Sequence, residues 1–355
     1  MSVAGQFVGN GIQVYVPLLE LSGNLQINYS RNVNSLRSKL NGYTKQVLTS
    51  GFRGNFLRFN PAENARLGRD LRWPENTPRP LGRDNGIAWT VDSFETVQYQ
   101  DARVLSMDTV DVANWDVQKR TTAALAQIMM ANRTNKVCST ITNSGNYPSS
   151  QVKTATALNG SGFLHLGTPA DPRILTTIQE AKAIIQTGTF SRFTDGELGA
   201  LMNPNTARKL SRSRELREYL SNQVGSLGNI TGKAKEYNGG YLLPPFLYDT
   251  QVIVEDTMLT TDPVNKSGTE AETGSFAFPD NTMIVFARSG DLDASEGEAG
   301  QDFSAFTQFV YKGEDMRLDS MTDNWNRQQY FGISDRFDVK ITLPLTAVLI
   351  TNLFS

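Results

Sequence analysis

The sequence has one cysteine, Cys138, and one histidine, His165. A single thiol excludes an intrachain disulfide, and a single imidazole excludes a histidine-rich or Cys/His metal centre. A histidine-based triad would have to use His165. That residue sits in the short apolar stretch Phe163-Leu164-His165-Leu166-Gly167, which marks no partner. His165 reads as a packing or surface position, and Cys138, just past a helical apolar pattern, as a packed thiol. No run of about eighteen apolar residues occurs, which argues against a membrane-spanning helix. The opening, Met1–Gly11, has neither a basic start nor a long apolar stretch, so a secretory signal is not expected. The formal net charge is only −2, unlike that of a dedicated nucleic-acid binder.

Catalytic signatures are missing as well. There is no phosphate loop and no Gly-x-Ser-x-Gly elbow, and Gly225-Ser226-Leu227-Gly228 follows no strand pattern. Asp291, Asp293, Glu296 and Glu298 do not match the alternation of a calcium loop, and read as a solvated acidic loop. Asp249, Asp256 and Asp262 read as turn caps rather than a metal cluster. Arg208, Lys209, Arg212, Arg214 and Arg217 share a helical stretch with Glu215 and Glu218, and no aromatic residues interleave to stack bases.

What is present is a 355-residue chain, long enough for one large domain or two intergrown ones, with glycine at 29 positions. Its charge is segregated. Arg31–Arg83 holds eleven basic and three acidic residues, and Glu255–Asp302 holds eleven acidic and two basic. Such blocks are ordinarily solvated faces, but opposed blocks also suit contacts between copies.

Residues Met1–Ser30 read as a polar arm, and Val33–Leu48 as a short helix. Trp73–Pro80 carries three prolines and belongs to no regular element. Ala88–Phe94 and Thr96–Leu105 are rich in β-branched and aromatic residues and read as a two-stranded excursion, marginal unless covered. From Asp108 to about Asn135, the stripe Val112, Trp115, Thr122, Leu125 and Met129 predicts a helix of roughly 40 Å. Asp171-Pro172 opens a second helix with Ile174, Ile178, Ala181 and Ile185 on one face. Asn203-Pro204 opens a third, carrying Ala207, Leu210, Leu216 and Leu220. Gln251–Glu255, Thr282–Ala287, Phe303–Tyr311, Tyr330–Asp335, Phe337–Leu343 and Ala347–Leu353 read as strands. The class is α+β without a repeating βαβ unit.

This order of elements resembles that of the major capsid proteins of tailed double-stranded DNA phages, the family with the Hong Kong 97 phage capsid fold. The likeness rests on several stretches. Ala88–Leu105 resembles the extended loop, Asp108–Asn135 the spine helix, and Asp171–Thr187 the first axial helix. Leu201-Met202-Asn203-Pro204 resembles a strand-to-helix junction, and Gly239-Gly240-Tyr241-Leu242-Leu243-Pro244 a central turn. Gln251–Asp256 and Phe278-Pro279-Asp280-Asn281 with Met283–Ala287 resemble the axial strands that follow. Arg336–Ile341 and Thr346–Leu353 resemble a closing strand pair.

The resemblance implies an N-terminal arm (1–57), an extended β-hairpin loop (58–107) and a peripheral domain with a long spine helix (108–170). An axial domain (171–325) and closing peripheral strands (326–355) complete it. It implies a non-enzymatic shell protein, without cofactor or metal, in the virion capsid, assembled in the host cytoplasm. Many copies would form hexamers and pentamers around double-stranded DNA, touching it non-specifically, with no membrane partner. Scaffolding, portal and optionally decoration proteins would be separate chains, since about one hundred residues before the spine helix leave little room for a built-in scaffold. No crosslinking pair is singled out; Lys312 and Asn326 are two of many such residues.

Ile87, Trp89, Val91 and Phe94 are the expected contacts between subunits. Arg31, Arg37, Arg53, Arg58, Arg66, Arg69 and Arg72 are the expected basic residues of the inner surface or of subunit contacts. The alternatives are an encapsulin-like cargo compartment shell and an α+β enzyme with an unrecognised site.

Overall fold

A computed structural model describes residues 6–9, 12–15, 33–59, 89–112, 117–159, 173–190, 198–216, 243–260, 274–288, 290–291 and 302–354. The chain opens on a short antiparallel pair, β1 (Gln6–Gly9) and β2 (Ile12–Tyr15). Helix α1 (Val33–Asn41) buries Leu36 and Leu40 and stops at Gly42, whose amide closes onto the carbonyls of Ser38 and Lys39. The helix expected to run to Leu48 is therefore shorter. Lys45–Thr49 is strand β3, because Tyr43 and Thr44 turn into the core and the backbone beyond them finds a strand to pair with.

Strand β4 (Arg53–Phe59) pairs antiparallel with β5 (Trp89–Glu95), and β6 (Val97–Ser106) continues β5 beyond Thr96. The amide and hydroxyl of Thr96 both donate to the Phe52 carbonyl, at 2.8 and 3.0 Å. The two expected extended segments are thus strands, but they are not each other's partners. Glu95-Thr96 has no turn chemistry to reverse the chain, so β5 and β6 run end to end.

Helix α2 (Met107–Val112) leads to α3 (Val117–Ile141), whose 25 residues span about 37 Å. It reaches one and a half turns past the expected end, so Cys138 lies inside it rather than beyond it. Leu125, Met129, Arg133, Val137 and Ile141 recur every fourth residue and are all buried. Strand β7 (Val152–Thr154) and the short helix α4 (Ala155–Asn159) follow.

Helix α5 (Arg173–Gly188) buries all four residues of its expected stripe. Strand β8 (Leu198–Met202) runs into α6 (Pro204–Ser211), capped as expected by Asn203, whose Oδ1 accepts from the Thr206 amide at 2.8 Å. Then come β9 (Phe246–Leu247), β10 (Thr250–Val254), β11 (Met258–Leu259), β12 (Ser275–Phe276), β13 (Met283–Ala287), β14 (Gly290–Asp291) and β15 (Asp302–Phe303). The last strands are β16 (Phe306–Tyr311), β17 (Arg317–Asp323), β18 (Gln328–Ile341) and β19 (Ala347–Thr351).

Two sheets organise the fold. The first has the order β7-β19-β13-β8-β10-β9. Its strands β8 and β13 are buried at every position, as unbroken apolar runs with both faces covered should be. On one face α5 and α6 bury Ile174, Ile178, Ile185 and Leu210 against Ala200, Val252, Val285 and Ile350. On the other, Leu201, Ile284, Phe286 and Leu349 join Val137, Cys138 and Ile141 of α3 and Phe306, Val310 and Phe337 of the second sheet.

The second sheet has the order β17-β18-β16-β3, with β6 also on β18. Strand β18, read as two segments, is one 14-residue strand. Strands β16 and β17 abut along one edge of it, Val310 opposite Phe337 and Arg317 opposite Ser334. A closing pair of Arg336–Ile341 with Thr346–Leu353 does not form. Pro344–Thr346 is a single 3-10 turn that carries β19 across to the first sheet, beside β13 and β7.

Candidate functional site

The hairpin of β4 and β5 is the feature with no counterpart in a minimal two-sheet core. Its base is tied to its own chain by aromatic rings. Phe94 lies parallel to Phe309 with centroids 4.2 Å apart, and Phe56 stacks on the same ring at 5.4 Å. Gly54 is required here, since a Cβ on it would lie 2.6 Å from the Phe94 ring. Phe52 packs tilted against Tyr311, centroids 4.7 Å apart, and receives the Arg336 guanidinium 4.1 Å above its ring. Arg336 also pairs with Glu314 at 2.9 Å.

Towards the tip, the register sets Leu57 opposite Val91 and Phe59 opposite Trp89. Val91 is 60% exposed. Of the four expected subunit contacts, Phe94 is instead buried within its own chain, because β5 lies over β16. Val91 stands free of the core, Trp89 is placed by its backbone in β5, and Ile87 lies outside the described residues.

The expected basic residues divide similarly. Arg31, Arg66, Arg69 and Arg72 lie outside the described residues. The other three have carboxylate partners in their own chain: Arg37 with Asp315, Arg53 with Glu95 and Arg58 with Asp92. Part of the positive block is therefore neutralised locally. At the acidic block, Glu255 and Asp256 are buried rather than solvated. Tyr43 donates to Glu255 at 2.9 Å, Thr257 donates to it from both amide and hydroxyl, and Lys39 donates to Asp256 at 2.8 Å. Asp249 sits in a left-handed turn with φ of 61°. Asp291 is in β14, and Asp293, Glu296, Glu298, Asp262, His165 and Arg217 lie outside the described residues.

Sequence reasoning missed the ionic network below the hairpin. Arg133 is 1% exposed and grips Asp335, which is fully buried, through both Nε and Nη2. Its Nη2 also donates to Asp315 at 2.8 Å, and Arg37 reaches the same carboxylate at 2.6 Å. Gln46 completes it at 3.1 Å. Five segments thus meet at the break between β16 and β17: α1, β3, α3, β18 and the turn bearing Asp315.

Burial works against the charge of Arg133, but its bonds to Asp335 and then Asp315 hold it above its ordinary value. Burial also raises Asp315, yet Arg133 and Arg37 hold its carboxyl below the usual range. Burial raises Asp335 above the ordinary carboxylate value, and the bonds from Arg133 oppose that rise. The spacing Leu125, Met129, Arg133, Val137 was the available signal, since it sets Arg133 in the middle of the buried stripe.

Among the described residues no cluster of His, Cys, Asp and Glu is arranged to hold a metal ion, and no helix is long and apolar enough to cross a membrane. Cys138 is buried, and burial pushes its thiol well above the ordinary value. A hairpin stacked on β16, a long helix and a charge-stitched sheet make up this part of the fold.

Known structures share the fold. A phage-related protein of Bordetella bronchiseptica RB50 is 11% identical, with 91% of this chain and 94% of that one covered and a TM-score of 0.57. The capsid chain of cyanophage P-SCSP1u is 13% identical over 97% and 96%, with a TM-score of 0.55. The SrpI encapsulin of Synechococcus elongatus PCC 7942 is 9% identical over 94% of each chain, with a TM-score of 0.50. The chain has the α+β fold of phage capsid and encapsulin proteins. By sequence, no family model and no curated protein matches it.

Proposed function

We propose that many copies of this chain assemble into a closed icosahedral shell around double-stranded DNA, as the major capsid protein of a tailed phage. The observation that carries this reading is the fold match over nearly the whole length of this chain and of a phage capsid chain. In this reading α3 is the spine helix and the β4–β5 hairpin is the base of the extended loop. The second sheet with α3 is the peripheral unit, and the first sheet with α5 and α6 is the axial unit. The sheet memberships support moving two boundaries: residues 306–323 go with the peripheral strands, and 347–351 with the axial ones.

Val91 and Trp89, with Ile87, are the proposed contacts to the neighbouring subunit. No catalytic residue, metal or cofactor belongs to this function. Scaffolding and portal proteins are separate partners, and the shell assembles in the host cytoplasm. Native mass measurement of the purified full-length chain tests the reading. Particles of megadalton mass, with hexamers and pentamers in images, are expected; a chain that stays monomeric or dimeric under every assembly condition overturns it.

Contact with DNA is proposed to be non-specific and carried by basic residues of 31–83. Binding to unrelated duplexes should weaken steeply and equally as salt rises, with a log–log slope of about −0.9 per phosphate neutralised. Preference for one sequence at constant salt would contradict it. The match to the SrpI encapsulin supports a second reading, a cargo compartment. Particles purified from their native source and carrying protein rather than nucleic acid would favour that one.

A further inference from the structure

We infer that β17 pairs with β17 of a second copy, antiparallel and about a twofold axis at Ser320, so that two second sheets become one. This rests on the reading that copies assemble, and adds which edge of the subunit joins which. Strand β17 is the last in its sheet, with β18 on one side and no described strand on the other. It is exposed along its first six residues, Arg317–Thr322. Exposure includes apolar side chains: Leu318 at 50% and Met321 at 62%, with Trp325 at 94% in the turn beyond. An edge of this kind is a template for another strand.

The occupant follows from the sequence of the edge, Arg317-Leu318-Asp319-Ser320-Met321-Thr322-Asp323. Joining two copies so that their sheet faces match leaves only pairings in which residue numbers step by two, because side chains alternate between faces. Centring the twofold on Ser320 sets Arg317 against Asp323 of the second copy, Leu318 against its Thr322 and Asp319 against its Met321. Two charge pairs then close the ends. Sliding by two residues one way sets Asp319 against Asp319 of the second copy. Sliding the other way sets Asp319 against its Asp323. Like charges directly opposite destabilise a ladder, so of these three registers only the one centred on Ser320 is free of repulsion, and longer slides shorten the ladder. Arg317 already donates to Asp319 at 3.0 Å, which orients it along the edge. The same register lays each Trp325 turn against the start of the other copy's β17, covering an indole that is 94% exposed.

The test uses Ser320→Cys in the full-length chain. Cys138 is buried, so the new thiol reports alone. Assembled particles are treated with a short thiol-to-thiol crosslinker and read under denaturing conditions. The inferred pairing makes the crosslinked dimer the main product for S320C and leaves Leu318→Cys at background, because two residues 318 would lie four strand positions apart. Arg317→Asp should abolish the S320C dimer by facing two acids across each end, without changing the subunit's melting. Particles that form normally yet give no S320C dimer, or give equal dimer from Leu318→Cys, overturn the pairing while leaving the shell reading intact. Failure of the unmodified chain to form particles overturns the shell reading instead.

Discussion

Arg133→Met should remove about 3–5 kcal/mol from the stability of the dissociated subunit, a large share of the roughly 5–15 kcal/mol typical of a folded domain. The loss comes less from the missing attraction than from what stays behind. Asp335 is wholly buried, and among the described residues its remaining donor without the guanidinium is the Met316 amide, at 3.4 Å. The double variant R133M/D335L removes both charges and fills similar volume, so it should recover most of the loss. Asp315 would still be held by Arg37 and Gln46 in that variant. Chemical denaturation of the three proteins, fitted with a common slope, checks the cycle. A single variant within about 1 kcal/mol of the parent would mean that water reaches Asp335 and that the network is not closed.

Replacing residues 61–87 with a short Gly/Ser linker should leave the subunit folded and abolish stable shells. The cut spares β4, β5 and β6. This matters because β6 is hydrogen-bonded along ten residues of β18, and Phe94 and Phe56 stack on Phe309. A cut reaching Tyr99 would damage the sheet itself and confuse folding with assembly. The cut keeps two of the proposed contacts, Trp89 and Val91, on β5, and removes Ile87 and the rest of the segment between the two strands, which is proposed to lie on a neighbour. Each large apolar side chain it would bury there contributes about 1.5–3 kcal/mol, repeated at every subunit of a closed particle. Melting of the trimmed subunit and imaging of its assemblies decide the matter. Normal shells at normal yield would defeat the proposed role; loss of cooperative melting would place residues 61–87 in the subunit core.

The helices show where the sequence spoke clearly. Ile174, Ile178, Ala181 and Ile185 formed a face that one sheet covers, and Asn203-Pro204 capped α6, because both signals are local. The end of α3 was misread for a physical reason. The expected stripe stopped at Met129, and its continuation through Arg133 to Val137 and Ile141 is interrupted by a charge whose burial depends on the acids at 315 and 335, far along the chain. Strand β17 escaped notice because an exposed edge carries polar residues like any loop. The hairpin was mispaired because adjacent strands usually pair, whereas β5 finds β4 across residues 60–88 and β6 finds β18 from the far end of the chain. Val91 and Phe94 have the same apolar character in the sequence, yet Val91 is exposed and Phe94 sits inward. Composition cannot tell the two faces of a strand apart without the register.

The way the second sheet draws on both ends of the chain has a consequence for how the protein is made. Strand β3 pairs with residues 307–311, β6 with 328–337, and Arg133 closes on Asp315 and Asp335. The first sheet likewise waits for β19, which sits between β7 and β13. Every early strand of the second sheet therefore leaves the ribosome long before its partner exists. Folding of this topology pays its loop-closure entropy late, so it should be slow and largely post-translational. During that interval the apolar backs of β3, β5 and β6 stay open to other nascent chains, which makes the newly released polypeptide, rather than the finished subunit, the aggregation-prone species.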